Sequence, residues 1–264
     1  MTTVEQQSLL VGREGAVATI TINRPRRKNA LDHPTWRLLH AALVDAGRDP
    51  EVRAVVLTGA EGDFCAGADL SGERPGHPLE AMRRVNEVAL ALHELPKPTI
   101  AKVRGVAVGA GWSLALACDL VAAAPDARFS QIFARRGLSL DCGGSWLLPR
   151  LVGMQQAKRL ALFGDFVDAP EARSLGLVTW VREDPELDGF VAEQAARLAA
   201  QPPVAIAQSK ALLHEGVQAS LREALENEAR AQVVNFATED AQAAKEAFLA
   251  KTTPVFTGRW AVRR

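Results

Sequence analysis

The sequence lacks an apolar run long enough to cross a membrane. The longest, residues 106–118, has 13 residues, whereas a membrane-spanning helix needs about 20. The first ten residues lack the basic and apolar regions of a signal peptide, so we expect a cytoplasmic protein. Cysteines are few and far apart: Cys65, Cys118 and Cys142 fit reduced thiols better than a disulfide framework.

A surplus of either charge is also missing. The 31 Lys and Arg residues balance the 31 Asp and Glu residues, so the composition argues against a partner such as nucleic acid. What the 264 residues do contain is 48% apolar and 23% charged side chains. That composition supports a buried core and excludes global disorder.

The organisation along the chain favours an α/β fold with a helical end. Pro202-Pro203 is the best candidate boundary, because the chain beyond it is almost wholly helical with alternating charges. We therefore predict a core over 1–200 and a helical region over 201–264 that packs on a neighbouring chain.

Clusters of apolar and β-branched residues predict strands, and apolar stripes at helical spacing predict helices. The predicted strands cover 9–11 and 17–22 (a hairpin), 52–58, 99–103, 120–124 and 127–131. The first predicted helix starts at Asp32 with Pro34 and ends near Asp49-Pro50. Further helices are predicted over 79–95, 112–117 and about 144–163, 170–176, 185–200, 204–215 and 220–249.

Two segments combine a strand with a tight turn of small residues. The first turn contains Ala66-Gly67-Ala68, and the second contains Gly109-Ala110-Gly111 and opens a helix. Small side chains let a ligand approach the backbone, and unpaired N–H groups at a helix start favour an anion. Two such turns facing each other would form an oxyanion hole, although tight helix–strand packing through glycine explains either turn alone equally well.

Together, the two turns resemble those of the enoyl-CoA hydratase/isomerase (crotonase) family. The resemblance extends in order along nearly the whole chain, through Asn23-Arg24-Pro25, Lys28-Asn29-Ala30-Leu31, Lys97-Pro98, Cys118-Asp119, Phe129-Ser130-Gln131, 149–153 and Gly258-Arg259. It implies a crotonase-like spiral of ββα turns with a C-terminal helical trimerisation region, and trimers of this family commonly pair into hexamers.

The resemblance also implies a site for an acyl-CoA thioester. In the family the thioester carbonyl oxygen lies between two main-chain amides, here those of Ala68 and Ala110, although relatives usually have Gly at the latter position. Coenzyme A would enter as part of the substrate, with no metal or bound redox cofactor. The residues implied along the CoA path are Arg27, Lys28, Ala30, Ala66, Asp69 and Leu70.

The chain departs from the hydratase pattern at three positions. Hydratases that resemble it carry two glutamates where Ser113 and Phe133 stand, and glycine where Asp141 stands. Family members that shift double bonds resemble this chain in having aspartate there. Shielded by neighbours such as Phe133 and Trp146, Asp141 makes sense as a single proton shuttle. The alternative is that it caps the helix beginning near Gly143.

The favoured hypothesis is therefore isomerisation of an enoyl-CoA double bond with Asp141 as acid and base. Hydration of a 2-enoyl-CoA in fatty-acid or aromatic-acid degradation is the first alternative, and acyl-CoA binding without catalysis is the second. A rival from another class is a serine hydrolase, because residues 111–115 nearly match a nucleophile elbow around Ser113, with His214 as the downstream histidine. Otherwise Ser113 positions the substrate or packs in the core.

Overall fold

The computed structural model describes residues 7–71 and 76–261. The strands are β1 Leu9–Glu14, β2 Val17–Ile22, β3 Ala54–Gly59, β4 Thr99–Val103, β5 Val106–Val108, β6 Leu120–Ala123, β7 Arg128–Ser130, β8 Val167–Asp168 and β9 Trp180–Val181. The α-helices are α1 His33–Arg48, α2 Pro78–His93, α3 Ala110–Ala117, α4 Gly144–Phe163, α5 Ala169–Ser174, α6 Asp184–Ala199, α7 Pro203–Gly216, α8 Leu221–Phe236 and α9 Glu239–Ala250.

The strands form two sheets. The larger has the order β1-β2-β3-β4-β6-β9. Its first pair is the predicted antiparallel hairpin, and every later pair is parallel. The smaller sheet has the order β5-β7-β8. Strands β3 and β4 are almost completely buried, as expected for the interior strands of a parallel sheet covered by helices.

Helix α1 shows why the local sequence dictates its start. The Asp32 side chain accepts hydrogen bonds from the main-chain N–H of Thr35 at 3.0 Å and from its hydroxyl at 2.6 Å. This N-cap satisfies a donor that the helix itself leaves unpaired. Leu39 and Leu43, one helical turn apart, are fully buried against the sheet. The predicted first helix is confirmed.

The structure corrects the prediction of one long helix over 220–249. Helix α8 ends at Phe236, and α9 begins after Thr238, whose hydroxyl accepts a hydrogen bond from the Ala241 N–H. No glycine or proline marks this break, and the charge patterns on its two sides are similar. The helical periodicity of the sequence therefore continues across it and predicts one helix. The helix predicted over 144–163 is present but kinked at Gly153, which has φ +73°. The short strands β5, β8 and β9 were not predicted.

Helix α7 is fastened to the core by a lysine. The Lys210 ammonium lies 2.9 Å from the Asp119 carboxylate, which also accepts from the Thr99 N–H and hydroxyl at the start of β4. From α7 onward many large apolar side chains are exposed, including Leu213, Phe236 and Phe248. None of the described helices is long and apolar enough to span a membrane.

Candidate active site

The two turns of small residues lie against each other. The Cys65 N–H donates to Val106 O, and the Val108 N–H donates to Cys65 O, both at 2.9 Å, so the first turn runs beside β5. A Cβ atom on Gly67 would lie 2.7 Å from Val108 O and 3.5 Å from Ala110 N. One on Gly111 would lie 2.2 Å from Cys65 O. The first turn therefore packs directly on the start of α3, and only glycine fits at either contact.

This arrangement leaves two main-chain donors next to each other. Leu31 pairs with the first turn through two hydrogen bonds: the Leu31 N–H donates to Gly67 O, and the Asp69 N–H donates to Leu31 O. Ala68 lies between these two partners, and its N–H takes no part in the pairing. Ala110 is the first residue of α3, so its N–H has no acceptor within the helix. Helix α3 begins two residues earlier than predicted, and that earlier start places Ala110 at this position.

A half-buried arginine, Arg24, holds the first turn in place. The Arg24 guanidinium lies 3.0 Å from Asp69 and 2.8 Å from Asp32, and it also donates to Ala30 O. Hydrogen bonds from the Ser71 hydroxyl and N–H, together with Arg24, lower the pKa of Asp69 to about 2. Asp69 is therefore ionised at neutral pH and braces the turn that carries Ala68.

A cavity of about 640 Å³ opens over the two donors. Its lining includes Ala68 and Ala110 and also six other residues predicted for the site or the CoA path: Lys28, Ala66, Asp69, Leu70, Phe133 and Asp141. The structure thus brings Ala68 and Ala110, 42 positions apart in the sequence, to one cavity with Asp141, which lies 73 positions after Ala68. Asp141 lies in the loop before α4, whose N-cap is Gly143, so Asp141 does not occupy the capping position that was its alternative role.

Four predicted residues do not line this cavity. Arg27 is exposed on a short 3₁₀-helix, and Ala30 is buried beneath Arg24. Ser113 is fully buried, with its hydroxyl facing Gly144 at the start of α4. Trp146 points into a second cavity between α2, α4 and α7, where its ring contacts His93 edge-on at 5.2 Å. The direction of these side chains depends on how helices pack, which spacing in the sequence does not determine.

Several lining residues were not predicted. Trp36, Met82, Val85 and Phe166 add apolar surface, and Arg136 adds a positive charge. The neighbouring residues Arg135 and Arg136 have different surroundings. Arg135 binds the Asp165 carboxylate and Phe163 O, whereas Arg136 lies on the cavity wall. The signal available in the sequence was the apolar stripe of α1 and α2, which indicates burial but not which cavity it faces.

The serine-hydrolase rival gains no support. The Ser113 hydroxyl is buried away from the cavity, and His214 lies on α7, stacked on His93 with ring centroids 3.9 Å apart. The cysteines are unsuited to nucleophilic attack, because the thiolate is the reactive form. Burial raises the pKa of Cys65 to about 12 and that of Cys142, with a contribution from Asp141, well above its usual range.

The fold and the site together define a class of protein. A mostly parallel sheet carries two turns that line one cavity together with Asp141, and a series of helices follows at the C-terminal end. Paired N–H donors stabilise negative charge on a carbonyl oxygen. Two small-residue turns that line one cavity are the arrangement expected of an α/β enzyme with an oxyanion hole.

Comparison with known proteins identifies the family. Residues 12–259 match the model of the Enoyl-CoA hydratase/isomerase family. The 1,2-epoxyphenylacetyl-CoA isomerase of Escherichia coli K12 is 37% identical over 253 residues, covering 93% of this chain and 97% of the relative. The short-chain-enoyl-CoA hydratase of Clostridium acetobutylicum is 38% identical over 252 residues, covering 94% and 97%.

Solved structures agree. The crystal structure of an enoyl-CoA hydratase from Bacillus anthracis is 32% identical and superposes with a TM-score of 0.92, covering 96% of this chain and 100% of that one. This chain therefore belongs to the enoyl-CoA hydratase/isomerase family and has the crotonase fold, as the sequence resemblance predicted.

Proposed function

We propose that this enzyme shifts the double bond of an enoyl-CoA, with the amides of Ala68 and Ala110 as the oxyanion hole and Asp141 as acid and base. The observation that carries the proposal is that all three residues line one cavity. The relative named 1,2-epoxyphenylacetyl-CoA isomerase supports an isomerase, because it matches nearly the full length of the chain.

The chemistry follows from the charges that develop. Asp141 takes a proton from the carbon between the thioester carbonyl and the double bond of a 3-enoyl-CoA. The electrons of that C–H bond move onto the thioester oxygen, where the two N–H groups hold the negative charge. One such donor contributes on the order of 3–4 kcal/mol to the transition state. The same carboxyl then returns the proton to the far carbon of the former double bond, which yields the conjugated 2-enoyl-CoA.

The carboxylates of the cavity divide into two groups. Arg24 binds both Asp32 and Asp69, which gives those two side chains a structural role. Asp141 is the other carboxylate among the lining residues of the described chain. Ser113 and Phe133 stand where the hydratases that resemble this chain have glutamates, so the pair of carboxylates that activates water in those enzymes is not supplied there. A single shuttle fits isomerisation better than addition of water.

Asp141→Asn provides the direct test. It should abolish conversion of a 3-enoyl-CoA while acyl-CoA affinity stays within about threefold, since the amide keeps the shape but cannot accept the proton. Turnover is read from the appearance of conjugated thioester absorbance, and affinity from titration calorimetry. Asp126→Asn, an exposed carboxylate outside the cavity, is the matched control. Near-normal turnover by Asp141→Asn would refute the assignment.

Hydration is the second candidate, favoured by the relative named short-chain-enoyl-CoA hydratase. The same spectroscopic assay separates the two reactions. Loss of conjugated absorbance from a 2-enoyl-CoA supports hydration, and its appearance from a 3-enoyl-CoA supports isomerisation. Measurable binding with neither change supports an acyl-CoA-binding protein without catalysis.

A further inference from the structure

The cavity that Ala68 and Ala110 line shares a wall with a smaller cleft, which is not the cavity that Trp146 enters. The smaller cleft has a volume of about 480 Å³. His33, Trp36, Arg37 and Arg84 line both spaces. Two elements supply this wall, since the first three residues belong to α1 and Arg84 belongs to α2. The wall is therefore made of side chains that reach across the gap between two helices.

One hydrogen bond closes the wall. The Arg84 guanidinium donates to Nε2 of His33 at 2.6 Å, and Glu80, one turn earlier on α2, lies 3.8 Å from the same guanidinium. Arg84 is thus bonded across the gap to α1 and paired along its own helix with Glu80. Trp36, which is 7% exposed, lines the same wall.

The approach to this wall is apolar. Trp36, Met82 and Val85 line the larger cavity on the α1 and α2 side. An apolar passage that leads away from an oxyanion hole suits a hydrocarbon chain, whereas the anionic phosphates of CoA suit cations such as Lys28 beside the first turn. Lys28 lies at one end of the first turn, where the Ala66 N–H donates to Lys28 O. Leu31, two residues before His33, lies at the other end, where the Asp69 N–H donates to Leu31 O.

We propose that the His33–Arg84 bond is the end wall of the acyl pocket and limits the length of the acyl group that the enzyme accepts. This inference rests on the proposed function, because it takes enoyl-CoA as the substrate. A chain that reaches the bond must either stop or break it. Removal of the Arg84 side chain joins the acyl pocket to the smaller cleft and lets a longer acyl chain pass through.

The test compares chain-length profiles. For wild type, Arg84→Ala, His33→Ala and Arg84→Met, kcat/KM and Kd are measured with 3-butenoyl-, 3-octenoyl- and 3-dodecenoyl-CoA. We expect Arg84→Ala to raise the ratio of dodecenoyl to butenoyl kcat/KM by at least about tenfold, the scale on which pockets discriminate methylene groups. His33→Ala should raise it as well, and Arg84→Met less, because methionine replaces much of the lost volume. Arg83→Ala, an exposed neighbour on α2 that lines neither space, is the matched control.

The outcomes separate this inference from the function on which it rests. An unchanged chain-length profile in Arg84→Ala would show that the His33–Arg84 bond does not limit the length of the acyl group. An equal loss of kcat/KM for all three substrates would also contradict the proposal and would show that Arg84 contacts the CoA portion or supports the fold. Circular dichroism and melting temperature identify the last case. Failure of the wild type to bind or convert any of the three thioesters would instead overturn the proposed function.

Discussion

At the scale of single residues, the site depends on glycines that let two segments of backbone touch. Gly111 has an ordinary helical conformation, so its importance lies in space alone. A Cβ there would lie 2.2 Å from Cys65 O, whereas a Cβ on Gly189 of α6 would meet nothing within 4 Å. These two helical glycines form a matched pair for substitution by alanine.

We expect Gly111→Ala to push α3 away from the first turn. Turnover should fall by about 100-fold or more, as when an oxyanion-hole donor is lost, and stability should fall by about 1–3 kcal/mol. Gly189→Ala should keep full activity and gain roughly 0.5–1 kcal/mol, because alanine favours the helix. Steady-state kinetics and urea denaturation measure both. Full activity in Gly111→Ala would mean that the contact between the turns does not set the geometry of the hole.

Residue identity predicted part of this site. Ala68, Ala110 and Asp141 were named from the two small-residue turns and the family resemblance, and the structure brings them to one cavity. Ser113 and Trp146 were named from their position in the sequence alone. In the structure Ser113 is buried and Trp146 lines a different cavity. A position in the sequence indicates which element carries a residue, but the packing of α3 against α4 decides where the side chain points.

At the scale of elements, a stacked pair of histidines joins α2 to α7. Burial lowers the pKa of His93 to about 4, and the charges of His214 and Lys210 add to the effect, while Asp119 opposes it. The pKa of His214 is lowered chiefly by burial and by Lys210. In the unfolded chain a histidine titrates near 6.5, so the unfolded state binds protons first as the pH falls. The pair therefore costs stability between about pH 6.5 and pH 4.

We predict that the melting temperature falls by several degrees over this range and that His214→Phe makes the fall shallower, because phenylalanine keeps a ring without a titrating nitrogen. Thermal denaturation followed by circular dichroism from pH 7 to pH 4 measures the effect. His40→Phe, which removes a histidine of α1, is the control. If His214→Phe and wild type lose stability in parallel, the histidine pair is not the origin of the acid sensitivity.

Elements were predicted best where a chemical signal marks their ends. Asp32 with Pro34 marks the start of α1, and the glycine-rich turn marks the start of α3 to within two residues. The break between α8 and α9 carries only Thr238, a weak signal inside a continuous helical period. The two-residue strands β8 and β9 exist because other strands pair with them, which no local pattern indicates.

At the scale of the whole molecule, the helical region exposes much apolar surface. Phe248 on α9 is 82% exposed, and Phe236 on α8 is 73% exposed. Many large exposed apolar side chains in one region of the chain favour an interface. We propose that it is buried between copies of the chain in a homotrimer or a dimer of trimers.

Phe248→Asp should therefore weaken the assembly, because a carboxylate would be buried without a partner. We expect sedimentation equilibrium to show smaller species at micromolar concentration, while Lys245→Ala, an exposed change on the same helix, leaves the assembly intact. A wild-type chain that sediments as a monomer would contradict the proposed assembly.

The proposed function depends on two main-chain N–H groups that polarise one thioester carbonyl. The most direct measurement is the infrared spectrum of an enoyl-CoA with a ¹³C-labelled thioester carbonyl, bound to the Asp141→Asn enzyme so that no reaction consumes it. Two hydrogen bonds to the oxygen should shift the carbonyl stretch to lower frequency than in water, and Gly111→Ala in the same background should remove the shift. A stretch at or above its frequency in water would contradict the oxyanion hole and the enolate chemistry built on it.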